Sequence, residues 1–575
     1  MKKLLGYLRP YRKESIISPL FKLLEASFDL MVPLVVKQIV DVGIANRDKP
    51  YIVAMCGLLV AFAVIGLSCT LVAQYYAARA ATGFSTDLRR DLFAHIQKLS
   101  YAETDRQGTS TLITRMTADI NQLQSGVNMT LRLLLRSPII VFGAMIMGFT
   151  VNASSALVFV VIIPLLSAVV FSIMLKSIPL FGRVQKNLDA VTARTRENLT
   201  GVRVLRAFRK EDDEIRAFEE VNDAHYRIQN FVGGISALMN PLTLVLVNLG
   251  VILLLLSGAK LVDVGDMTQG EVLAMTNYMA QILVELIKFA NTILLVNKAL
   301  ACGRRVESVL NAPVGMERTE AARESDNTDA VTFRNVSLTY AQNAAPSLCG
   351  IELSIPRGTT VGIIGSTGSG KSSVVNLIPR FYDATEGVVL VNGLDVRAYD
   401  TKELRDRIAI VPQKAVLFSG TVRSNLLWGN ENATDDELWE ALEAAQAKEF
   451  ILQKEGGLDA PVAQGGKNFS GGQRQRLTIA RALVRKAEIL ILDDSSSALD
   501  YATDAALRQA ISTLKEHPTV FIISQRTASI RHADQILVLE EGEPVGIGKH
   551  DELLQSCDVY REIYESHFQK GGETA

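Results

Sequence analysis

The sequence is poor in the residues from which disulfide frameworks and metal centres are built. Its 575 residues include only 5 cysteines and 6 histidines, and the cysteines form no CxxC pair and no regular spacing. A disulfide framework or a zinc ribbon is therefore not expected. The histidines form no HExxH motif and no cluster, which argues against a metalloenzyme.

An excess of charge of either sign is also missing. Lys and Arg total 60 and Asp and Glu total 61, which leaves a net charge of −1. This balance gives no general attraction to nucleic acid, so no nucleic-acid partner is expected. The hydrophobic share of 48% is ordinary, whereas the mean hydropathy of +0.20 is high. The combination indicates a very apolar part joined to a normally polar part.

The apolar part occupies the front of the chain. Uncharged stretches cover residues 51–78, 137–175 and 228–259. A membrane helix needs about 20 mainly apolar residues, so each stretch holds at least one span, and the second has room for two around a polar turn at 151–155. Residues 15–40 and 272–297 carry some charge but are long enough to cross. These stretches predict about six spans in a lipid bilayer.

The first of these spans carries three charged residues on one face. Lys22, Glu25 and Asp29 are separated by three, four and seven positions, which are helical spacings. Ionisable groups in a span face a bundle interior or a wet cavity. The three residues therefore either line a cavity that contacts substrate, or pair with other charges between helices or at a membrane edge.

The distribution of Lys and Arg predicts the orientation of the chain. Lys and Arg both occur before the first span, the long connections 79–136 and 176–227 are rich in Arg, and neither residue type occurs in 151–155 or 262–269. Basic residues favour the cytoplasmic side, so we expect a multi-pass protein of the cytoplasmic membrane with its N-terminus in the cytoplasm. The mixed-charge stretch 207–211 lies in the second long connection and has a helical pattern.

The polar part follows a predicted linker at residues 303–330. Short β-rich runs then alternate with helical runs, which is typical of an α/β fold with much parallel sheet. The β-rich runs are residues 331–340, 360–364, 387–391, 408–411, 489–492 and 519–523. The predicted organisation is thus a membrane domain at 1–302, the linker, and a second domain at 331–575.

A phosphate-binding loop follows the second of these runs. It matches G-x-x-x-x-G-K-[ST] and consists of Gly365, Ser366, Thr367, Gly368, Ser369, Gly370, Lys371, Ser372 and Ser373. The glycines let backbone N–H groups converge on phosphate oxygens. Lys371 is expected to reach the β- and γ-phosphates of ATP, and Ser372 to bind Mg²⁺.

A second motif supports this assignment. The apolar run 489–492 ends at Asp493, a carboxylate that would hold Mg²⁺ directly or through water. Many buried strands end in Asp, so the motif is weak alone. When it follows a phosphate-binding loop in the sequence, the motif strongly indicates a carboxylate that holds Mg²⁺.

Further motifs resemble those of ABC transporters. Ser470, Gly471, Gly472 and Gln473 resemble the signature loop, Gln413 the Q-loop, and Asp500 the D-loop; Tyr340 matches the aromatic residue that stacks on adenine. The resemblance covers the whole back half and extends to the front, through the six spans and residues 197–203. The chain is most similar to a half-transporter of the bacterial heterodimeric multidrug ABC exporters.

This resemblance implies an α-helical six-span membrane domain followed by an α/β P-loop nucleotide-binding domain in the cytoplasm. It implies that Gln413 contacts Mg²⁺ and the reacting water, and that Ser470 binds the γ-phosphate held by the partner's P-loop. Asp500 would likewise serve the partner's site. With one P-loop and six spans, the chain needs a second half-transporter.

Two positions depart from the family pattern. The residue after Asp493 is normally the glutamate that polarises the attacking water, and here it is Asp494, one methylene shorter. A misplacement of about 1 Å can cost on the order of a hundredfold in rate. The switch residue is normally histidine and here it is Gln525, which cannot become a cation. Both changes predict a degenerate site that holds ATP but hydrolyses it slowly.

Two functions follow from these residues. The first is ATP-driven export of amphipathic compounds, which could be drugs, lipids or peptides, by a heterodimer. In it, hydrolysis occurs mainly at the site that uses this chain's signature loop. The second is an ATP-gated regulatory or channel-like subunit, in which ATP binding alone acts. The unaltered Ser470 and Asp500 favour export, because they are useful only if the partner hydrolyses ATP.

Overall fold

The computed structural model describes residues 2–316, 318–320, 329–340 and 345–569. The chain forms two compact units. The first consists of Met1–Gln97 and Gly108–Ala312, and the second of Lys98–Gln107 and Pro313–Ala575. Residues 1, 317, 321–328, 341–344 and 570–575 lie outside the described part.

The first unit is made of helices, which range from 4 to 48 residues in length. They are α1 (Lys2–Leu5), α2 (Arg12–Gln38), α3 (Lys49–Ile96), α5 (Thr109–Thr114), α6 (Ile120–Met129), α7 (Arg136–Val151), α8 (Ala153–Thr200), α9 (Val202–Ala207), α10 (Glu211–Ala237), α11 (Met239–Val264) and α12 (Gln269–Leu310), while α4 (Tyr101–Gln107) belongs to the second unit. Short 3₁₀ or π-helical turns interrupt the series at Gly6–Tyr11, Ile39–Ile44, Arg115–Asp119 and Thr130–Leu134. The predicted turn at 151–155 is present, because Asn152 ends α7 and its side chain accepts a hydrogen bond from the Ser155 N–H at 3.0 Å.

Five helical stretches of the described chain are long and apolar enough to cross a membrane. They are Lys49–Ile96, Thr109–Val151, Ala153–Thr200, Glu211–Val264 and Gln269–Leu310. The sixth predicted span corresponds to α2, which is 27 residues long but is not among the five. Its apolar character is reduced by Lys22, Glu25 and Asp29.

Those three charged residues lie in a network that joins α2 to α7 and α12. Arg136 donates hydrogen bonds to Glu285 at 2.5 Å and to Asp29 at 2.8 Å, and Lys22 donates to Glu25 at 2.5 Å. Arg136 and Glu285 are 9% and 4% exposed. Of the two sequence-based interpretations, pairing between helices is the one that the contacts support.

The second unit contains twelve strands within the described residues. They are β1 (Asp329–Leu338), β2 (Leu348–Pro356), β3 (Thr360–Gly365), β4 (Glu386–Val391), β5 (Leu394–Asp395), β6 (Ile408–Val411), β7 (Gly420–Thr421), β8 (Pro461–Val462), β9 (Ile489–Asp493), β10 (Thr519–Ile523), β11 (Gln535–Glu540) and β12 (Glu543–Gly548).

Short helices connect these strands. They are α13 (Lys371–Leu377), α14 (Thr401–Asp406), α15 (Val422–Leu426), α16 (Asp435–Ala444), α17 (Lys448–Leu452), α18 (Gly471–Val484), α19 (Tyr501–Ser512), α20 (Thr527–Ile530), α21 (His550–Ser556) and α22 (Asp558–Gln569).

A six-stranded sheet positions the candidate site. Its order is β12-β11-β3-β10-β9-β6, and every neighbouring pair except β11–β12 is parallel. The strands β3 and β9 are buried almost continuously, as expected for parallel strands covered on both faces. All six predicted β-rich runs are strands to within about two residues, the usual uncertainty of helix and strand limits. The predicted α/β fold is therefore confirmed.

The structure corrects the front limit of the predicted linker. Helix α12 continues to Leu310, so residues 303–310 are helical rather than linker. The reason is burial: Val306 and Val309 are fully buried in a cluster with Leu88, Leu92 and Ile120. At the other end, β1 begins two residues before the predicted start at 331.

The second unit also contains a segment from the front of the sequence. Residues Lys98–Gln107, between α3 and α5, belong to it rather than to the membrane unit. Leu99 forms an isolated β-bridge with Val314, and the Gly315 N–H donates to the Lys98 carbonyl at 3.0 Å. These backbone pairs hold residues 98–107 in the second unit, so the first unit is made of two stretches of the chain.

Candidate functional site

The phosphate-binding loop connects β3 to α13. Gly368 and Gly370 have φ angles of 87° and 91°, a conformation that side chains disfavour and that glycine adopts freely. A Cβ atom at Gly370 would lie 2.6 Å from the Ser347 carbonyl oxygen. The Lys371 ammonium group donates to the carbonyls of Gly365 and Ser366, at 2.9 and 2.6 Å. The loop is thus a backbone cradle with one cation folded against it.

The predicted magnesium ligands lie together at the end of the sheet. The Ser372 hydroxyl donates to Asp493 Oδ1 at 2.9 Å. Asp493 is the last residue of β9, and Ser372 is the second residue of α13, which follows the phosphate-binding loop. Burial raises the pKa of Asp493, with the Asp494 carboxylate adding to the effect. Burial lowers the pKa of Lys371, and the two aspartates oppose this shift. A hydroxyl beside a carboxylate is a donor set that suits Mg²⁺.

The two departures from the family pattern lie at the same edge of the sheet. Ile523 of β10 pairs with Asp493 of β9, so Gln525 and Asp494 follow neighbouring strand ends. Asp494 has a φ of 44°. Burial raises its pKa, whereas a hydrogen bond from the Gln413 side chain lowers it. Gln413 and Asp494 are thus brought together, while Gln525 is exposed.

Tyr340 reaches the phosphate-binding loop directly. Its hydroxyl donates to Ser373 Oγ at 2.9 Å, and its side chain is 45% exposed. Its ring meets the ring of Tyr382 edge-on, with the centroids 4.8 Å apart and the planes at 88°. The exposed part of the ring is available for stacking on a base.

The signature-loop and D-loop residues begin two other helices. Ser470 caps α18, where its hydroxyl accepts from the Gln473 N–H at 3.3 Å and Gln473 Oε1 accepts from the Ser470 N–H at 3.0 Å. Asp500 caps α19 and accepts from the Thr503 N–H at 2.8 Å; this bond lowers its pKa. Within the described residues, no hydrogen bond or ion pair joins Ser470 or Asp500 to the phosphate-binding loop of the same chain.

Sequence reasoning missed an aromatic cluster beside Tyr340. The Tyr101 ring of α4 stacks on Phe381, with the centroids 4.3 Å apart and the planes at 27°. The Tyr382 hydroxyl donates to Asp105 Oδ2 at 2.5 Å, and burial together with that carboxylate raises the pKa of Tyr382. The adjacent aromatic residues just after α13 were the available signal, although nothing local identifies their partners in α4.

These residues fit a nucleotide with Mg²⁺. The glycine conformations leave room for phosphate oxygens close to the backbone. Lys371 supplies a positive charge, Ser372 and Asp493 supply oxygen ligands, and Tyr340 supplies an aromatic face. When bound, Mg²⁺ would neutralise charge on the phosphates during transfer.

Comparisons with known proteins agree with this assignment along the whole chain. Residues 15–286 match the ABC transporter transmembrane region and residues 348–497 match the ABC transporter domain. The chain is 37% identical over 565 residues to an uncharacterized ABC transporter ATP-binding protein of Mycobacterium tuberculosis, with 97% of each chain covered. It is 30% identical to a putative multidrug export ATP-binding/permease protein of Bacillus subtilis, with 98% of each covered.

The fold is also similar to that of a solved structure. A bacterial Atm1-family ABC exporter with ATP bound superposes with a TM-score of 0.80 at 22% sequence identity, covering 97% of this chain and 98% of the other. The predicted architecture, a helical membrane domain followed by a nucleotide-binding domain, is therefore confirmed. With both domains on one polypeptide and an ATP-binding, ATP-hydrolysing domain at the back, this multi-pass membrane protein belongs to the ABC transporter family as a half-transporter of the exporter type.

Proposed function

We propose that this chain is the degenerate-site subunit of a heterodimeric exporter that moves amphipathic compounds out across the cytoplasmic membrane. In this proposal its own site holds ATP with Mg²⁺, and hydrolysis occurs mainly where its signature loop meets the partner's P-loop. The observation that carries the proposal is the pair Asp494 and Gln525 at neighbouring strand ends.

Asp494 is poorly suited to polarise water for attack on the γ-phosphate. Its side chain is one methylene shorter than that of glutamate, and the Gln413 side chain, which lowers its pKa, lies beside it. Efficient proton transfer requires a base within hydrogen-bond reach of the water. A carboxylate that stops about 1 Å short loses on the order of a hundredfold in rate.

Gln525 weakens the same site for a different reason. An amide can donate a hydrogen bond to a phosphate oxygen, but it cannot carry positive charge or accept and release a proton near neutral pH. Charge stabilisation of the transferring phosphoryl group is the main catalytic contribution in such sites. Binding of ATP is therefore retained while turnover is slow.

The residues that this chain would contribute to the other ATP site, the one built on the partner's P-loop, match the family pattern. Ser470 and Asp500 hold their helix-capping positions on α18 and α19. Within the described residues, neither of them has a hydrogen bond or ion pair to the P-loop of the same chain. This agrees with a role at the partner's P-loop. This is the argument against a purely regulatory subunit, which would have no use for them.

The proposed cargo follows from a cavity in the membrane unit. A cavity of about 690 Å³ has more apolar than polar side chains in its lining, among them Ile173, Phe181 and Leu294. Its polar members are Ser177, Ser236, Asn291, Asn297 and Lys298. Such a lining suits an amphipathic molecule, because a few polar groups orient a ligand that apolar contacts bind. The multidrug export relative supports the same class of cargo.

Reconstitution tests the proposal. The chain is co-expressed with the product of a neighbouring reading frame that encodes a half-transporter with Glu and His at the two altered positions, and the pair is placed in lipid vesicles with a panel of amphipathic dyes. We expect Mg·ATP-dependent dye movement by the pair and little ATPase activity from this chain alone. Normal turnover by a homodimer of this chain would contradict the need for a partner, and ATP-dependent ion flux without dye movement would support a channel-like subunit instead.

A further inference from the structure

We propose that a cavity between α19 and α20 of the second unit is a binding site for a small organic anion, a molecule with an apolar body and a sulfonate, carboxylate or phosphate group. The cavity has a volume of about 750 Å³, which lies in the usual range for small-molecule sites. The inference does not rest on the proposed function, because none of the residues that line this cavity belongs to the ATP-binding motifs.

The cavity lies on one face of the sheet, near the strand ends opposite the ATP site. Its lining includes Thr360, the first residue of β3, and Val520, the second residue of β10. Val520 and Ile522 both line it and project from the same face of β10, because side chains two positions apart in a strand share a face. The phosphate-binding loop follows the other end of β3, so an anion in this cavity and a nucleotide occupy different sites.

The lining carries positive charge without a compensating carboxylate. Arg508 and Arg531 contribute guanidinium groups and His517 and His532 contribute imidazoles, whereas no Asp or Glu lines the cavity. The chain has only 6 histidines, and two of them lie here. A cleft whose walls carry charge of one sign raises the local concentration of the opposite ion. The lining therefore favours a negatively charged ligand.

Arg531 is the cation that is open to a ligand. It follows directly after the last residue of α20, its side chain is exposed, and its Nε donates to His532 Nε2 at 2.9 Å. Among the described residues, no carboxylate pairs with this guanidinium. Partial burial, together with the charges of Arg531 and Arg508, lowers the pKa of His532, as expected where positive groups adjoin with no anion between them. The two terminal nitrogens of Arg531 can bind a sulfonate or carboxylate in the bidentate manner.

Arg508 forms a fixed part of the cavity wall. Its Nη1 donates to the Ala528 carbonyl of α20 at 3.0 Å, and its Nε lies 3.3 Å from Asp504 Oδ2. Asp504 is 4% exposed and also accepts from the Ser529 hydroxyl at 3.0 Å. These contacts join α19 to α20, so the cavity is preformed and little ordering is needed on binding. Because Asp504 offsets the charge of Arg508, the net positive charge comes from Arg531.

The rest of the lining explains why the ligand has an apolar body. Apart from the arginines and histidines, the lining has more apolar than polar side chains, among them Ala505, Ile511, Pro518 and Ala533. An inorganic anion would leave this apolar surface in water, whereas an organic anion covers it. Apolar walls with a few polar groups that orient the ligand are the usual composition of a small-molecule site.

Fluorine NMR of the full-length protein in lipid nanodiscs tests this inference. The probe is 4-(trifluoromethyl)benzenesulfonate, and saturating Mg·AMP-PNP, a non-hydrolysable ATP analogue, is present throughout to occupy the nucleotide sites. The neutral 4-(trifluoromethyl)benzenesulfonamide has the same body without the charge, and empty nanodiscs give the background. We expect saturable broadening of the sulfonate signal and an affinity about tenfold higher than that of the sulfonamide, the scale of one hydrogen bond to a charged group.

Three variants locate the binding. Arg531→Gln removes the open cation and is expected to weaken sulfonate binding by about tenfold, with little change for the sulfonamide. Ala505→Trp keeps every charge but fills the cavity from α19, and is expected to abolish saturable binding of both probes. Arg423→Gln is the matched control, since Arg423 pairs with Asp435 and Asp459 and does not line the cavity. It is expected to bind like the unaltered protein, and thermal unfolding verifies that all three variants are folded.

The outcomes separate this inference from the proposed function. Absence of saturable sulfonate binding by the unaltered protein would overturn the inference, and so would equal affinities for the sulfonate and the sulfonamide. Undiminished sulfonate binding in either Arg531→Gln or Ala505→Trp would place the probe elsewhere on the protein and would overturn it as well. None of these results bears on slow hydrolysis or on export.

Discussion

At the scale of single residues, Asp494 and Ser470 separate the two ATP sites. Ser470→Ala removes a phosphate hydrogen bond where the proposed hydrolysis occurs, and loss of one such donor costs about 2.7–4 kcal/mol, or roughly a hundredfold to a thousandfold in rate. Asp494→Ala is expected to lower turnover by only about threefold or less, because its carboxylate is already too distant to act well. The measurement is steady-state ATPase of the co-expressed pair at saturating Mg·ATP. If Asp494→Ala abolishes turnover as completely as Ser470→Ala, the asymmetric assignment is wrong.

Tyr340 gives a second prediction at this scale. Tyr340→Ala is expected to weaken nucleotide binding at this chain's own site by about 1–3 kcal/mol, the contribution of a stacked base. Tyr340→Phe keeps the ring, and the hydrogen bond to Ser373 that it loses does not involve the Ser373 proton, which stays available to a phosphate oxygen, so affinity is expected to be retained. Titration with a fluorescent ATP analogue measures both variants. Equal affinities for the unaltered protein, Tyr340→Ala and Tyr340→Phe would mean that Tyr340 only packs against its neighbours.

At the scale of helices, Arg136 is the residue that ties α2, α7 and α12 together. Arg136→Met leaves Glu285, which is 4% exposed, without its main partner, and breaking a buried ion pair typically costs about 3–5 kcal/mol. We expect a clear fall in the thermal unfolding temperature in detergent. Lys288→Ala is the matched control, since Lys288 bonds the same carboxylate at 2.9 Å but is 47% exposed. Equal unfolding temperatures for the two variants would mean that the network does not stabilise the bundle.

The turn between α9 and α10 provides a prediction about coupling. The sequence pattern predicted a helix at residues 207–211, but the structure has a turn there. Helix α9 ends at Ala207, and Arg209 has a φ of 54°. Phe208 at this turn is 71% exposed, which suits docking onto a nucleotide-binding domain. The resemblance to ABC exporters implies that this domain is the partner's. Phe208→Ala is expected to lower dye transport several-fold while ATP binding is retained. Normal transport by a stable Phe208→Ala protein would identify the turn as a solvated surface feature.

How much the sequence reveals depends on how local each feature is. The phosphate-binding loop and the Asp493 strand are contiguous motifs, so their positions could be predicted within a residue or two. The strands β2 and β12 were missed, because their alternating patterns are weak next to continuous buried runs. The strand β11 was missed although it is itself a continuous buried run. The stacking of Tyr101 on Phe381 could not be predicted, since no local pattern links positions so far apart in the chain.

At the scale of the whole transporter, the proposed difference in hydrolysis rate between the two ATP sites can be tested by restoring the family residues in this chain. Asp494→Glu combined with Gln525→His restores the residues that the family uses at both positions, and is expected to raise hydrolysis at this chain's own site by about tenfold or more. The readout is ATPase of the co-expressed pair in which the partner's site carries a Walker-lysine substitution, so that only this site turns over. Unchanged hydrolysis in the double variant would place the defect outside these two residues.

The membership of Lys98–Gln107 in the second unit also constrains biosynthesis. Asp105 and Tyr382 are 277 positions apart, and a ribosome that adds about 5–20 residues per second needs roughly 15–55 s to cover that distance. During this interval the segment has been translated but its aromatic partner does not yet exist. The segment can therefore complete these contacts only after the ribosome has passed Tyr382, and until then Tyr101 lacks the Phe381 ring on which it stacks.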